Sequence, residues 1–529
     1  MTYKVCITAA GRGTRLAAAQ GTHKALVPLA GRAVLSRILD KVPADAEVVI
    51  ALGHAADQIR SFLAVAAPGR AITFVDVPGY DGPGSGPGAS LLACRPHLQC
   101  PFVLFACDTL VDEDVPPPDA DWVGVADVEA PDPFLIADVQ RGRVAAFYDK
   151  CPRRELPADL AAPYQAFIGL AGVRDYGRFW TSLDGGTRLV RGERQVASGF
   201  EGLVAGGLQA RRFTWFDTGT DAGVQAAAAR FGTSDWLPKP DEALFFEGGR
   251  VIKYFADASR VQRRGERAIL LKDVVPPNVE ARGNFLAYDY VPGRLLSDQT
   301  DECVFRRFVE RAAETVWRPM TLGAGDARRF RDAADRFYRV KTAQRVHDFL
   351  ERYPAAAAPV RINGQDVPAV DEALTAIPWD TLADGTPVLF HGDPQPENVL
   401  LADDGRIVML DWRDDFGGLT GCGDLYYDLA KVHHALIVSG QVVRANGFST
   451  TPGPGTVETR LLVPEHLLRF LKVFEQAIEA RGWDVGRTRL TSALTYLNIA
   501  LLHHAPYDQF LFSFGRFLLQ RIAGNRWPY

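Results

Sequence analysis

Three oxygen-bearing side chains in one short stretch, Asp393, Asn398 and Asp411, have the types and spacing that phosphoryl transfer requires. That reaction asks little covalent chemistry of the protein, but it needs an oxygen acceptor beside the attacking hydroxyl and hard oxygen ligands for magnesium. The five-residue step from Asp393 to Asn398 lets one loop present a base and a metal ligand together. Elements that hold them are predicted by the surrounding pattern, VLFHGDPQPENVLLADDGRIVMLDW. A buried strand covers 388–390 and a proline-broken loop runs from His391 to Asn398. A hairpin with arms 399–401 and 407–410 then closes over the turn Asp403-Asp404-Gly405 and returns Asp411 to the loop. A turn cap explains any one of these residues alone; the three together point to phosphotransfer.

The stretch resembles the aminoglycoside phosphotransferase and choline kinase family, whose signature is H-G-D-x-x-x-x-N followed by a strand ending in a magnesium-binding Asp. The run DWRDDFGG and then GDLYYDLAKVHHAL is similar to members of that family found in capsule clusters. The resemblance implies Asp393 as the catalytic group and Asn398 and Asp411 as magnesium ligands, with ATP as phosphate donor. It also implies a bilobal, protein-kinase-like α+β domain. On that pattern Lys253, on a strand after the turn Glu247-Gly248-Gly249, holds donor phosphates and pairs with Glu266 of a helix over 259–272. No G-x-G-x-x-G precedes Lys253, so the donor loop departs from familiar kinases. A strand over 285–291 leads to the hinge, and helical periodicity begins at Glu302, with helices over 304–316 and 327–353.

At the other end of the chain, an apolar strand over 4–9 runs straight into Ala10-Gly11-Arg12-Gly13-Thr14-Arg15. Glycines there permit close backbone approach to phosphate. With His23-Lys24-Ala25-Leu26 following, the segment resembles nucleotidyltransferases that activate sugar phosphates, which carry G-x-G-x-R and then P-K-x-L. The family's proline is His23 here. The resemblance implies that Gly11, Gly13, Arg15 and Lys24 hold a nucleoside triphosphate (CTP, UTP or GTP), and that GPGSGPGAS after Asp81 reads base and sugar. Asp108 stands at the end of the strand 102–106, where ligands of such sheets bind. WFDTGT resembles the family's W-x-D-x-G-T, which makes Asp217 the second magnesium ligand. Tyr148-Asp149-Lys150 is similar to its E-K-P region, with Cys151 before Pro152, and nominates Lys150 for the acceptor phosphate; Glu201 is a further acceptor candidate.

Strands and helices alternate through this half: helix 33–39, strand 47–52, helix 55–63, strand 102–106, strand 167–173, helix 222–231. The alternation predicts an α/β, Rossmann-like domain with a mostly parallel sheet. The linker composition of GTSDWLPKP sets domains at 1–233 and 241–529, the latter with a small lobe at 241–293 and a helical large lobe at 294–529. Residues 355–359 and 446–455 read as surface loops.

Composition agrees with a two-domain protein. A length of 529 residues exceeds one ordinary core. The net charge of -5, with mixed signs, gives no electrostatic case for nucleic acid or an anionic membrane as partner. Seven cysteines without C-x-x-C spacing suit a reducing compartment. No basic region and apolar core open the sequence, and the apolar stretch 493–519 is broken by His503, His504, Pro506 and Asp508, so a cytoplasmic location is expected. Small-molecule substrates are the expected partners, with homo-oligomerisation left open.

Together the two halves imply consecutive reactions on one metabolite, a sugar, polyol or amino alcohol, feeding surface polysaccharide assembly. Alternatives are a choline or ethanolamine kinase joined to a CTP-dependent cytidylyltransferase, an antibiotic-modifying phosphotransferase, and a non-catalytic regulator. Intact acidic residues at 108, 217, 393 and 411 speak against the last.

Overall fold

The computed structural model describes residues 3–13, 16, 21–160, 162–232 and 241–529. The chain divides into two compact units, Met1–Val261 with Glu280–Tyr288, and Gln262–Val279 with Asp289–Tyr529.

The first unit is built on a nine-stranded sheet. Ile72–Asp76, Val48–Leu52, Lys4–Ala9 and Phe102–Ala106 lie side by side in that order, all parallel. Lys4–Ala9 is apolar on both faces at its buried positions because both faces are covered: Val5, Ile7 and Ala9 enter one core and Cys6 the other. Past Phe102–Ala106 the sheet changes character. Tyr164–Val173 runs antiparallel to it, and of the remaining strands, Trp122–Val128, Gln209–Arg212, Arg143–Asp149 and Leu135–Gln140, only the first two pair in parallel. The expectation of a mostly parallel sheet therefore holds for its first half and fails for its second. Hairpin connections need no helical crossover, so helix–strand alternation is silent about them.

A four-stranded sheet, Glu242–Glu247, Arg250–Phe255, Phe285–Asp289 and Glu280–Arg282, follows the linker. The expected boundary at 233–241 separates it from the first unit, but its packing does not. Phe62, from the helix Ala56–Ala66, meets Phe245 and Phe285 at ring separations of 5.1 and 5.5 Å. Glu247 accepts from Arg32 Nη2 at 2.9 Å and from the Ala33 amide at 3.2 Å, while the Tyr254 hydroxyl donates to the Gly21 carbonyl. A shared apolar core outweighs the change in composition that marks the linker.

The second unit is mostly helical. Leu425–Ile437, buried along its whole length, packs against Glu465–Ala480 and Val485–Ala500, and the last packs on Tyr507–Ala523. The stretch 493–519 is thus two buried helices, as its apolar pattern predicts. A three-stranded sheet joins Gly293–Leu295 to the hairpin Val399–Ala402 and Ile407–Met409. Two expectations are corrected here. The segment expected as a loop at 446–455 carries the strand Phe448–Gly453, paired with Thr456–Leu461; its Gly and Pro content masks threonines that suit a sheet. The strand expected at 388–390 is only Pro387–Val388, because Phe390 turns to a φ of 30°. Among the described residues no helix is long and apolar enough to cross a membrane.

Candidate active sites

In the first unit a cavity of about 510 Å³ opens at the carboxyl ends of the parallel strands. Gly11, Gly13, Lys24, Asp108, Lys150 and Asp217 line it. Asp108 follows the strand Phe102–Ala106, and a two-stranded ladder, Trp215–Asp217 against Thr109–Val111, sets Asp217 opposite Thr109. That register brings together carboxylates 109 positions apart: a Cβ placed on Gly219 would lie 2.8 Å from Asp108 Oδ2 and 3.0 Å from Asp217 Oδ1. The Thr218 amide and hydroxyl both donate to the Asp108 carbonyl at 2.9 Å, fixing the turn.

Lys24 Nζ reaches Asp108 Oδ2 at 2.6 Å. Its position is set by the preceding residue. Buried His23 caps the short 3-10 turn Lys24–Leu26, its Nδ1 accepting from the Ala25 amide at 3.1 Å. Burial, with the Lys24 charge beside it, pulls the imidazole down to about 4, so it stays neutral. Gly13 has a φ of 66° and lies on the Lys24 side chain, where a Cβ would come within 3.0 Å of Cδ. Close approach and a left-handed backbone both require glycine there. Lys150 Nζ lies 3.4 Å from Glu193, which also lines the cavity. Glu201 does not join them. It stands exposed on the helix Ala197–Val204, and Glu193 supplies the acidic group beside Lys150 instead. Arg15 lies outside the described residues.

The second unit holds the loop from His391 to Asn398. Buried Asp428 accepts from the amides of His391 and Gly392 at 2.6 Å each and from Trp317 Nε1 at 3.0 Å. Arg267 lies over the Phe390 ring at 4.3 Å and donates to the carbonyls of Leu389, Phe390 and Thr420. With these anchors the loop holds Phe390 and Gly392 in left-handed conformations, and Asp411 at a φ of 59°. Asn398 Nδ2 donates to the Asp393 carbonyl at 3.0 Å, and the Leu410 amide donates to the Asn398 carbonyl at 2.7 Å. The loop and the hairpin thus bring Asp393, Asn398 and Asp411 into one neighbourhood. Lys431 Nζ lies 2.8 Å from Asp393 Oδ1, and Arg264 Nη1 lies 2.6 Å from Asp411 Oδ1.

A family model for MobA-like NTP transferase domains matches residues 5–118. A model for the phosphotransferase enzyme family matches residues 268–458, which include Asp393, Asn398 and Asp411. The chain joins a nucleotidyltransferase domain to a phosphotransferase domain. It is therefore a bifunctional enzyme. Among solved structures, UDP-glucose pyrophosphorylase complexed with UDP-glucose is 15% identical with a TM-score of 0.37, over 44% of this chain and 98% of that one. UTP-bound UGPase from Acinetobacter baumannii is 17% identical with a TM-score of 0.37, over 44% and 94%. HddC from Yersinia pseudotuberculosis is 15% identical with a TM-score of 0.33, over 44% and 100%. A search of curated proteins finds no match.

Glu266 does not take the partner its sequence pattern predicts. Lys253 is on the strand Arg250–Phe255, opposite Leu244. Glu266 is on the exposed face of the helix Ala258–Leu270, accepting from Gln262 at 3.1 Å, while the buried face carries Arg264 and Arg267. Two residues outside the H-G-D-x-x-x-x-N motif also complete the site. Asp428 holds the loop, and Lys431, one turn further along the same helix, meets Asp393. Their i, i+3 spacing is the signal that could have found them. His433 and His434 are core residues, His433 bonded to Ser492 and Glu475.

Hard oxygen donors suit magnesium in both domains. Asp108 and Asp217 converge, and Asn398 uses its side-chain amide nitrogen to close the loop, which leaves its carbonyl oxygen as the donor. Among the described residues no group of three or more His, Cys, Asp or Glu forms a closed metal cage. An ion held by these oxygens would need phosphate or water to complete its shell.

Proposed function

We propose that the phosphotransferase domain moves the γ phosphate of ATP to a hydroxyl of a small metabolite, and that the nucleotidyltransferase domain then joins the resulting phosphate ester to a nucleotide. The product is an NDP-activated metabolite, with pyrophosphate released. Asp393 accepts the hydroxyl proton as the oxygen attacks, and the loop pinned by Asp428 and Arg267 holds it in place. Residues 241–529 act as the kinase-like phosphotransferase module and residues 1–233 as the nucleotidyltransferase module. Gly11, Gly13, Arg15 and Lys24 hold the NTP, and Lys150 meets the acceptor phosphate.

Asp108 and Asp217 in one domain, and Asn398 and Asp411 in the other, would hold magnesium, which would supply charge stabilisation on phosphate oxygens. A cytoplasmic enzyme of surface-glycan assembly is the setting this chemistry fits. The single observation that carries the reading is that each domain has its own converged oxygen donors beside a lysine, Lys24 at Asp108 and Lys431 at Asp393.

A screen for ADP and pyrophosphate release over NTPs and candidate alcohols tests the reading. Alcohol-dependent ADP release, and pyrophosphate release that requires the phosphorylated alcohol, are expected. Pyrophosphate release from the unphosphorylated alcohol without ATP contradicts the order.

A further inference from the structure

We propose that the hydroxyl acceptor of the phosphotransferase domain is a compact anion, a small polyol or sugar that carries a carboxylate or phosphate group. The inference rests on Asp393 as the group that receives the hydroxyl proton.

A cavity of about 190 Å³ in the second unit reaches Asp393. Its charged lining is lopsided: Lys341, Arg345, Arg413 and Lys431 against the one carboxylate of Asp393. Lys431 is committed to Asp393. The other three have no ion pair with a carboxylate among the described residues. Lys341 Nζ lies 3.3 Å above the Phe337 ring, Arg345 donates to the Asn498 carbonyl at 2.9 Å, and Arg413 donates to the Asp415 carbonyl at 3.4 Å. Burial, reinforced by Arg413, Arg345 and Lys431 and opposed by Asp415, pulls the Lys341 ammonium well below its ordinary value, whereas Arg413, despite its burial, is raised by Tyr427, Asp393, Asp414 and Asp415.

Lys341 and Arg345 carry the cost of burial and of neighbouring cations, and an anion bound beside them removes it. A quaternary or protonated amine would add to it. The lining therefore runs against choline and aminoglycosides, the acceptors that give the resembling family its name.

Two further groups describe the rest of the ligand. Thr491 Oγ1 and Asn498 Oδ1 are buried at the cavity and have no hydrogen-bond partner among the described residues. Ligand hydroxyls would satisfy both. The volume lies below the range of about 300–1,000 Å³ typical of drug-sized ligands. One wall is built by a local change of helical pitch. A π-helical turn, Arg336–Val340, precedes Lys341–Arg352, and Phe337, Tyr338, Lys341, Thr342 and Arg345 all face the cavity. In the reaction, the acceptor oxygen bonds to the γ phosphorus and the bond to the β,γ-bridging oxygen breaks. The hydroxyl proton passes to Asp393, and ADP leaves with the electron pair.

The experiment uses the full chain with ATP and matched acceptors: D-glycerate and glycerol 3-phosphate against glycerol, glucuronate against glucose, and choline and kanamycin as cations. At least one anion should exceed its neutral counterpart at least tenfold in kcat/KM, and the carboxylate and phosphate members show which group is read. K341M and R345M should each raise KM for that anion at least tenfold, with KM for ATP within twofold. Preference for a neutral or cationic acceptor, or a rise in KM for ATP instead, overturns the proposal. Calorimetry with D-glycerate, glycerol 3-phosphate and inorganic phosphate separates the two readings. Binding that both substitutions weaken, without ATP-dependent turnover, keeps the anion site and sinks the phosphotransfer reading. No binding, or binding indifferent to both substitutions, overturns the anion site.

Discussion

The two active regions share one device and differ in nearly everything else. In each, a buried neutral imidazole stands just ahead of the acting residue, and its Nδ1 accepts the backbone amide two positions on: His23 from Ala25 at 3.1 Å, His391 from Asp393 at 3.3 Å. Beyond that, the nucleotidyltransferase site is a wide cleft whose carboxylates are brought together by strand register. The phosphotransferase site is a small cavity whose loop is held in strained conformations by a buried aspartate and a buried arginine. A site made by register tolerates local change, whereas a site made by buried polar anchors concentrates its stability in a few residues.

The largest effect separates the two chemistries. Asp393→Asn should lower ADP-forming transfer by about 10³-fold, within the range for a positioned proton acceptor, yet leave nucleotidyl transfer onto a supplied monoester unchanged. Asp108→Ala should do the reverse. Loss of both activities in either folded variant breaks the comparison.

Asp428→Ala tests the anchors. Three donors, two amides and the Trp317 indole, lose their acceptor, and buried unmet donors cost about 1–3 kcal/mol each. We expect a loss of at least about 3 kcal/mol in urea unfolding, together with loss of phosphotransfer and no change in nucleotidyl transfer.

Alanine at the two site glycines sharpens the contrast on a smaller scale. At Gly392, with a φ of 91°, a new Cβ would lie 2.6 Å from Arg413 Cβ, an atom fixed by the backbone. At Gly13 the nearest atom is Lys24 Cδ at 3.0 Å, part of a flexible chain. Left-handed backbone costs a non-glycine residue about 1–2 kcal/mol at either position. Gly392→Ala should exceed that cost and remove most phosphotransfer, while Gly13→Ala should lower nucleotidyl transfer only several-fold.

The smallest effect is on pH, and here the halves should agree. Burial, with Lys24 next for His23 and Arg267 next for His391, lowers the two imidazoles to about 4 and about 3, against about 6.5 in an unfolded chain. Between those values the unfolded state binds more protons, so the stability these groups contribute is full above about pH 6.5 and falls as pH drops toward 4. Urea midpoints should be lower at about pH 5 than at about pH 7.5, and His23→Gln and His391→Gln should each remove part of the difference.

Much of this was legible in the sequence because the chemistry sits at ends of apolar strands and in short loops. The strand Lys4–Ala9 and the hairpin after Asn398 follow from patterns of a few residues, whereas Asp217 is named by resemblance and its pairing opposite Thr109 comes only from the structure. Three things were not. The sheet of residues 242–289 shows an apolar face, but hydrophobicity carries no address, and only the packing of Phe245 and Phe285 on Phe62 assigns it. Glu266 fits a lysine-pairing pattern, but which face of its helix is buried depends on Arg264 and Arg267 finding Asp411 and the loop carbonyls. The cation cluster at Asp393 draws on separate parts of the chain, and charges far apart in sequence reveal nothing of their meeting.

The most direct measurement of the central claim is phosphorus NMR of the full chain supplied with ATP, an NTP and the unphosphorylated acceptor. Wild type should show a phosphomonoester that rises and then gives way to a diphosphate-linked product, and Asp108→Ala should accumulate the monoester alone. A diphosphate product formed by Asp393→Asn from the unphosphorylated acceptor, or no monoester with Asp108→Ala, contradicts the account.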